Sequence, residues 1–314
     1  MRHILLLVVA LGFVTSVNAQ TSTRTMAVTF DDLPYVRMSD AAYLPSARTA
    51  TAKILSTLKK HKAPAVGFVN ERQLEEYGND RDARTALLRD WVASGMILGN
   101  HTYSHSDFNQ LTVAQFEEEI EKGDVVTRQL MQSHRPYQLY FRHPMTHTGD
   151  TLEKKEAVEK FLAARGYKVT PHTIENSDFI FNVPYAQAIQ KGDTALAKRL
   201  RDAYLDLTIA ATEFAEKISP QIFGREIPQL LLIHSNDINA DCLDEILRRF
   251  EARGYKFVTL DKVMSDPAYE TKDTYVNKFG PTWFFRWSKS KGMNLDFSGD
   301  PDPPKWVMDM YDSR

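Results

Sequence analysis

The fold of this 314-residue chain is decided by the stretch Ala27-Val28-Thr29-Phe30-Asp31-Asp32-Leu33-Pro34. Its apolar residues predict a buried β-strand, which the proline ends. Two carboxylates at the end of a buried strand are unfavourable unless they are paired, hydrogen-bonded or bound to a cation. Because adjacent strand residues point to opposite faces, we expect Asp31 and Asp32 to have different neighbours. One is interpreted as a general base and the other as a metal ligand.

The composition is that of an ordinary globular chain. Hydrophobic residues make up 43% and charged residues 25%, and the formal net charge is −2. This length suffices for one large α/β domain or two small ones. No long basic block is present, so nucleic acid is not an expected partner. The lone Cys242 cannot form an intrachain disulfide, and its helical surroundings predict a buried, unreactive thiol.

The first residues are interpreted as a targeting signal. Arg2 and His3 precede an apolar run over residues 4–14, and Val17-Asn18-Ala19 is typical of a cleavage site. We therefore expect residues 1–19 to be a secretory signal peptide and the protein to be exported, either to the periplasm or out of the cell. An uncleaved anchor is the alternative, but the apolar run is short for a membrane span.

Strands and helices alternate through the rest of the chain up to residue 264. Strands are predicted over residues 27–31, 65–69, 96–99, 137–141, 167–170, 229–233 and 255–260. Helices are predicted over residues 46–61, 82–94, 112–133, 151–165, 194–218 and 241–253, with a polar loop at residues 176–179. This alternation is typical of parallel sheets and (β/α) barrels. We expect residues 20–264 to form a single barrel-like domain.

Four predicted strands end in polar residues, which are Asp31 with Asp32, His101, Arg142 and His234. In a (β/α) barrel the active site is built at the carboxyl ends of the strands. The positions of these residues therefore predict a single site at one end of the barrel.

A histidine pair lies directly after the third predicted strand. His101 and His105 are four residues apart, a spacing that on a helical turn places both imidazoles on one face. With a carboxylate they would form a two-histidine, one-carboxylate metal site with positions left for water and substrate. His143 and His147 have the same spacing and are the alternative pair, but Pro144 between them disfavours a helical turn.

Four motifs occur in order along the chain. They are Thr29-Phe30-Asp31-Asp32, His101-Thr102-x-x-His105, Arg142-x-Pro144 and Leu231-Leu232-Ile233-His234. The ordered set resembles the successive motifs of the polysaccharide deacetylases, the NodB-homology carbohydrate esterases that act on chitin and peptidoglycan. The resemblance covers residues 26–263. It implies an α/β fold with a distorted (β/α) barrel, and a hydrolase that removes N-acetyl groups from the amino sugars of a glycan.

The resemblance also implies a role for each motif residue. Asp31 corresponds to the general base, and Arg142 to the arginine that pairs with it. Asp32, His101 and His105 correspond to the ligands of a divalent metal, which is most often zinc in such enzymes.

Three further roles follow from the same resemblance. His234 corresponds to the general acid, and Asp178 resembles the carboxylate that tunes it. The backbone N–H of Met145, the residue after the motif proline, corresponds to the oxyanion donor. For Arg142 an ordinary ion pair is the alternative, and for Asp178 a turn.

The chain departs from the family pattern after Pro144. The proline is commonly followed by an aromatic residue and glycine, whereas here Met145-Thr146-His147-Thr148-Gly149 follows. The sugar preference of a typical chitin or peptidoglycan enzyme is therefore not implied, and His147 either contacts the substrate or is exposed. The alternatives are action on an O-acetyl ester, a cyclic imide or another small amide, and a glycan-binding protein without turnover.

The last residues, 265–314, break the strand–helix alternation. Aromatic residues are crowded there between glycines and prolines, at Trp283, Phe284, Phe285, Trp287, Phe297 and Trp306. The favoured interpretation is an irregular C-terminal extension that covers apolar surface of the barrel, because aromatic clusters are more often buried than functional. The alternative is an aromatic platform that stacks on sugar rings.

Overall fold

The structure is a computed structural model that describes residues 24–36, 43–75, 80–134 and 137–313. The predicted signal peptide, residues 1–19, lies outside these ranges. Within them, no helix combines the length and apolar character needed to cross a membrane.

In the described ranges, eight parallel strands form one sheet, and helices surround it. The strands are β1 (Arg24–Leu33), β2 (Ala65–Val69), β3 (Ile97–Asn100), β4 (Leu139–Phe141), β5 (Tyr167–Val169), β6 (Ile174–Glu175), β7 (Gln229–His234) and β8 (Tyr255–Phe257). The helices are α1 (Tyr43–Lys60), α2 (Arg81–Ala93), α3 (Val113–Lys122), α4 (Val125–Leu130), α5 (Leu152–Ala164), α6 (Asp178–Lys191), α7 (Thr194–Phe223), α8 (Asp237–Ala252), α9 (Leu260–Met264), α10 (Trp283–Ser290) and α11 (Lys305–Asp312).

The sheet is curled into a barrel. Its strand order is β5-β4-β3-β2-β1-β7-β6, and β8 pairs with the start of β1. The strands at the two ends of this order, β5 and β6, are joined by residues 170–173 alone. Five Cα steps from Val169 to Ile174 span at most about 18 Å, so the two ends of the sheet lie close together. The predicted (β/α) barrel is therefore confirmed.

The strand pairing places the predicted site residues at one end of this barrel. β1 and β7 pair from Met26 opposite Gln229 to Asp31 opposite His234. Both strands are buried, because their apolar residues pack against helices on one side and the barrel interior on the other. Since all strands are parallel, their carboxyl ends meet at the same edge.

Several predicted helices have different limits in the structure, and two of them bear on the site. The helix expected over residues 112–133 is interrupted at Gly123 and Asp124, between α3 and α4. A Cβ atom on Gly123 would lie 2.4 Å from the backbone carbonyl carbon of Thr102, so the chain there makes room for the loop after β3. Helix α8 begins at Asp237 rather than Asp241, because the side chain of Asn236 caps it by accepting from the Asn239 N–H.

The polar loop expected at residues 176–179 is wrong in part. Helix α6 begins at Asp178 and continues through Pro184. Proline normally ends or kinks a helix, and for this reason the sequence does not predict one here. The helix matters for function because it carries Asp178 in its first turn.

The C-terminal extension is less irregular than expected, because α10 and α11 lie within it. Trp283, Phe284 and Trp287 of α10 are buried in the same hydrophobic cluster as residues of β1 and β7. The Trp287 ring lies 5.4 Å from the ring of Tyr269 and 5.4 Å from that of Phe223, edge to face in both cases.

Candidate metal and catalytic site

A β-bulge brings both adjacent aspartates into the site. The pairing of β1 with β2 shifts by one residue between Phe30 and Leu33, and Asp32 has a left-handed φ of 61°. Both carboxylates therefore approach the same imidazole, although their other neighbours differ. Asp31 Oδ2 lies 3.7 Å and Asp32 Oδ1 3.6 Å from Nε2 of the same residue, His101.

The histidine pair lies on a loop and not on the helical turn that was expected. Thr102 and His105 both have left-handed φ angles, 66° and 57°, which fold the loop back on itself. The two imidazole centroids are 5.1 Å apart. The loop is anchored on α3, where the Ser104 N–H donates to the carboxylate of Glu119 at 2.8 Å.

Asp32, His101 and His105 form a group suited to a metal ion. One ligand atom from each lies within 4.8 Å of the others. Asp32 Oδ1 is buried and accepts no hydrogen bond within the described residues, and it lies 3.4 Å from His105 Nε2. An orphaned buried carboxylate oxygen that faces two imidazoles is what a cation would satisfy.

The protonation of His101 also fits a metal ligand. Burial, with the neighbouring His105, lowers the pKa of His101 to about 3, so its imidazole is neutral. Its Nδ1 lies 2.8 Å from the backbone carbonyl oxygen of Arg142, which can only accept, so Nδ1 carries the proton. The lone pair of Nε2 is therefore directed at Asp32, and the carbonyl is the partner that orients a ligating histidine. Two imidazoles and one carboxylate are ligands typical of zinc.

The alternative pair, His143 and His147, does not form such a group in the described part of the chain. His143 is buried and stacks on Phe116, with ring centroids 5.7 Å apart, and burial lowers its pKa. His147 Nδ1 instead lies 2.7 Å from Asp107 Oδ1. The two rings thus have separate partners.

Asp31 and Arg142 form a buried ion pair at the barrel centre. Arg142 is fully buried and donates from Nη1 to Asp31 Oδ1 at 2.6 Å and to Thr29 Oγ1 at 2.8 Å. Its other donors reach the backbone oxygens of Thr170 and Pro171. The arginine thus holds one oxygen of Asp31 in place and leaves Oδ2 on the side of His101.

His234 and Asp178 form a second buried pair. His234 Nδ1 donates to Asp178 Oδ1 at 2.6 Å, and the His234 backbone N–H donates to Asp178 Oδ2 at 2.7 Å. Asn236 and Asn239 also donate to that carboxylate. Burial opposes the charge on His234, but the Asp178 carboxylate outweighs it and raises the pKa of His234 to about 10. The imidazole is therefore cationic at neutral pH, with Nε2–H facing the cavity 3.9 Å from Asp32 Oδ2.

One cavity of about 540 Å³ contains these groups. Its lining includes Asp31, Asp32, His101, His105 and His234, and also Met145, which has a left-handed φ of 53°. Thr146 also lines the cavity, as expected for the stretch after Pro144, and Phe285 and Phe297 line it as in the alternative interpretation of the aromatic cluster. The remaining lining residues were not predicted to belong to the site from the sequence; they are His172, Glu175, Ser177, Phe179, Leu232, Gly280, Pro281, Thr282 and Asp300. Phe285 and Phe297 belong to the aromatic cluster of the extension. The crowding of aromatic residues there is the sequence feature that indicated them.

Known proteins resemble this chain in sequence. Residues 18–159 match the family model described as polysaccharide deacetylase. A chitin deacetylase of Arthroderma benhamiae is 31% identical over 149 residues, which are 48% of this chain and 35% of that protein. A peptidoglycan-N-acetylglucosamine deacetylase of Bacillus cereus is 23% identical over 241 residues, 75% of this chain and 66% of that protein. The chain thus spans about a third and just under two thirds of these relatives.

A solved structure agrees with the fold. A polysaccharide deacetylase from Bacillus cereus superposes with a TM-score of 0.51 and 18% identity, over 75% of this chain and 91% of that one. The segment matched by the family model contains Asp31, His101, Arg142 and Pro144, whereas Asp178 and His234 lie beyond it. Residues 18–159 thus match the polysaccharide deacetylase family model, and the curled parallel barrel agrees with the fold of a solved polysaccharide deacetylase.

Proposed function

We propose that the protein is an exported, zinc-dependent hydrolase that removes N-acetyl groups from the amino sugars of a glycan. The observation that carries the proposal is the convergence of three units on one cavity: the Asp32–His101–His105 group, the Asp31–Arg142 pair and the His234–Asp178 pair. The substrate class follows from relatives described as chitin and peptidoglycan-N-acetylglucosamine deacetylases. Export rests on the signal-peptide pattern of residues 1–19.

Asp32, His101 and His105 would hold the zinc ion. When bound, zinc polarises an amide carbonyl and lowers the pKa of water in contact with it towards about 7. The neutral imidazole of His101 is in the protonation state that this binding needs, and Asp32 Oδ1 accepts no hydrogen bond within the described residues.

Asp31 would act as the general base. Its Oδ1 is held by Arg142, so Oδ2 is the oxygen free to take a proton from the attacking water. As that proton moves to Asp31, the water oxygen forms a bond to the acetyl carbon. The carbonyl oxygen becomes an oxyanion, and the backbone N–H of Met145 would donate a hydrogen bond to it.

His234 would act as the general acid. An amine is a poor leaving group until its nitrogen is protonated, and the Asp178 pair keeps the imidazolium charged at neutral pH. His234 gives its Nε2 proton to the amide nitrogen while the C–N bond breaks. The products are acetate and a free amino sugar.

Acetate release tests the proposal. The purified protein would be loaded with zinc and assayed on an N-acetylglucosamine oligomer, on peptidoglycan and on an O-acetylated glycan, each with and without a chelator. We expect zinc-dependent acetate release from an N-acetylated substrate and none after Asp31→Asn. Acetate release from the O-acetylated glycan alone would show that the substrate is an ester and not an amide. Release from none of the three substrates would reject the proposal.

A further inference from the structure

The C-terminal extension forms one wall of the catalytic cavity. Gly280, Pro281, Thr282, Phe285, Phe297 and Asp300 line it together with the metal-ligand group. These residues lie outside the segment matched by the family model and outside the motifs that carry the resemblance. The extension is therefore positioned to act on the site, and its contacts with the loop after Pro144 show how.

Arg286 links the extension to this loop. Its side chain is buried, with 1% of the residue exposed, and Nη1 donates to the backbone oxygen of Thr146 at 3.0 Å. Nη2 donates to Thr148 Oγ1, and Nε donates to Asp273 Oδ2 at 2.8 Å. The guanidinium also lies over the Trp283 ring, 4.4 Å from its centroid. A buried planar cation with this many fixed partners is a rigid support.

Gly280 makes a second contact with the same loop. Its backbone oxygen accepts a hydrogen bond from Thr146 Oγ1 at 2.5 Å. A Cβ atom on Gly280 would lie 2.2 Å from the backbone oxygen of Met145 and 2.0 Å from Thr146 Oγ1. The extension and the loop therefore pack backbone to backbone, at a distance that admits only glycine.

The loop needs this support because its backbone is strained. Met145 and Thr146 both have φ of 53°, and left-handed conformations persist in non-glycine residues only where the surrounding structure holds them. The β-branched side chain of Thr146 makes that conformation especially unfavourable. The Met145 N–H lies in the peptide plane that the φ of Met145 orients against the rest of this loop.

We propose that Arg286 is a positioning residue, through which the C-terminal extension holds the Met145–Thr146 backbone in the shape that binds the oxyanion. The inference rests on the proposed function for the role of the Met145 N–H. Arg286 touches no reacting atom and acts through the Thr146 carbonyl. The extension is thereby part of the catalytic apparatus.

The test compares Arg286→Gln with Arg286→Lys and with Arg225→Gln as a matched control. Arg225 also joins the barrel to the extension through an arginine–aspartate pair, at 2.5 Å from Asp266, but it does not contact the loop. We expect Arg286→Gln to lower kcat for acetate release about 100-fold, as loss of an oriented oxyanion donor does, with KM and zinc affinity unchanged. Arg286→Lys keeps the charge and recovers part of kcat, and Arg225→Gln leaves it unchanged.

Gly280→Ala keeps the proposal testable should Arg286→Gln fail to fold. The added methyl displaces the Met145 carbonyl without removing a charge, so the same fall in kcat at constant KM is expected. Full kcat in either folded variant, or an equal fall in Arg225→Gln, would overturn the inference.

Hydrogen exchange separates this inference from the proposed function. In Arg286→Gln the amides of residues 145–149 should exchange faster than in the wild type and in Arg225→Gln. If the wild type released no acetate, the proposed function would fail. Faster exchange in Arg286→Gln would still show that Arg286 holds the loop in place. Unchanged exchange would reject that support whatever the activity.

Discussion

Asp31 and Asp32 are neighbours in sequence and have opposite surroundings in the site. Asp31 is 3% exposed and shares a 2.6 Å hydrogen bond with Arg142. Asp32 is less buried, and its Oδ1 has no hydrogen-bond donor among the described residues. The first environment fixes a carboxylate in one orientation, and the second leaves an oxygen for a cation. Substitutions at Asp31 and in the Asp32–His101–His105 group should therefore separate metal binding from proton transfer.

Asp31→Asn should abolish turnover and keep zinc binding. The amide can still accept from Arg142 but cannot take a proton, so we expect kcat to fall by about 10³-fold or more. His101→Ala removes a ligand and should lower zinc affinity and turnover together. Zinc titrations and acetate assays of both variants, with melting curves as folding controls, measure the two effects. Equal losses of zinc affinity would contradict the assigned roles.

Asp178→Asn should change the pH dependence of the reaction. The Asp178 carboxylate offsets burial and raises the pKa of His234 to about 10, with smaller contributions from Asp32 and Asp31. Without that charge burial dominates, and the pKa of His234 falls. Since the acid must be protonated to act, the alkaline limb of the kcat–pH profile should move to lower pH. A profile that keeps its alkaline limb would show that another group is the acid.

At the scale of elements, the end of α3 supports the metal loop. Gly123 follows α3, and a Cβ atom there would lie 2.4 Å from the Thr102 carbonyl carbon and 2.6 Å from the Tyr103 nitrogen. The Tyr103 N–H also donates to the Glu119 backbone oxygen at 2.9 Å. The loop between His101 and His105 is thus set by contact with a helix that carries no ligand.

Gly123→Ala should therefore weaken zinc binding. The methyl group collides with backbone atoms, which cannot rotate away as a side chain can, so the loop must shift. We expect zinc affinity to fall about 10- to 100-fold, the range typical of changes to groups that orient metal ligands. Gly299→Ala is the matched control, because its Cβ would lie 3.7 Å from the Phe214 ring, an ordinary contact. An unchanged zinc affinity in Gly123→Ala would show that the loop adapts.

The elements that the sequence predicts well are those with clear periodicity. The strands around Asp31 and His234 and the long stripe of α7 are visible because burial imposes a regular pattern on them. Helix α6 was missed because Pro184 lies inside it, and the local pattern gives no sign that tertiary packing tolerates the proline. Local rules describe regular backbone and fail where packing overrides them.

The site shows the same division. Strand ends identify Asp31, His101, Arg142 and His234, because parallel strands bring their carboxyl ends together. The geometry that joins them was not predictable, since it depends on left-handed φ angles at Asp32, Thr102 and His105, which are not glycines. The polar wall at Glu175 and Asp300 lacks a sequence motif altogether. These two residues are far apart in the sequence, and only the tertiary fold brings them to the same cavity.

At the scale of the whole molecule, the extension and the barrel share one hydrophobic core. Trp287 is 1% exposed and packs with Tyr269, Phe223 and Phe284. Trp287→Ala should reduce the free energy of unfolding by about 3–5 kcal/mol, the usual cost of deleting a buried aromatic ring. Urea unfolding of that variant measures this cost. Trp306→Ala, at a half-buried position beside Arg199, should cost clearly less, and equal costs would contradict a shared core.

Arg142 has a further consequence for the molecule as a whole. Its guanidinium donates to β1 on one side and to the Thr170 and Pro171 carbonyls, between β5 and β6, on the other. The buried Arg142 side chain thus connects β1 to the segment that joins the two end strands of the sheet, β5 and β6. Asp31 is the counter-ion of this arginine. Removing a partner from a buried ion pair leaves an uncompensated charge. Folding alone would therefore preserve Asp31 in a descendant that had lost turnover, whereas Asp32 has no such anchor. In such a descendant we expect Asp32 to be substituted before Asp31.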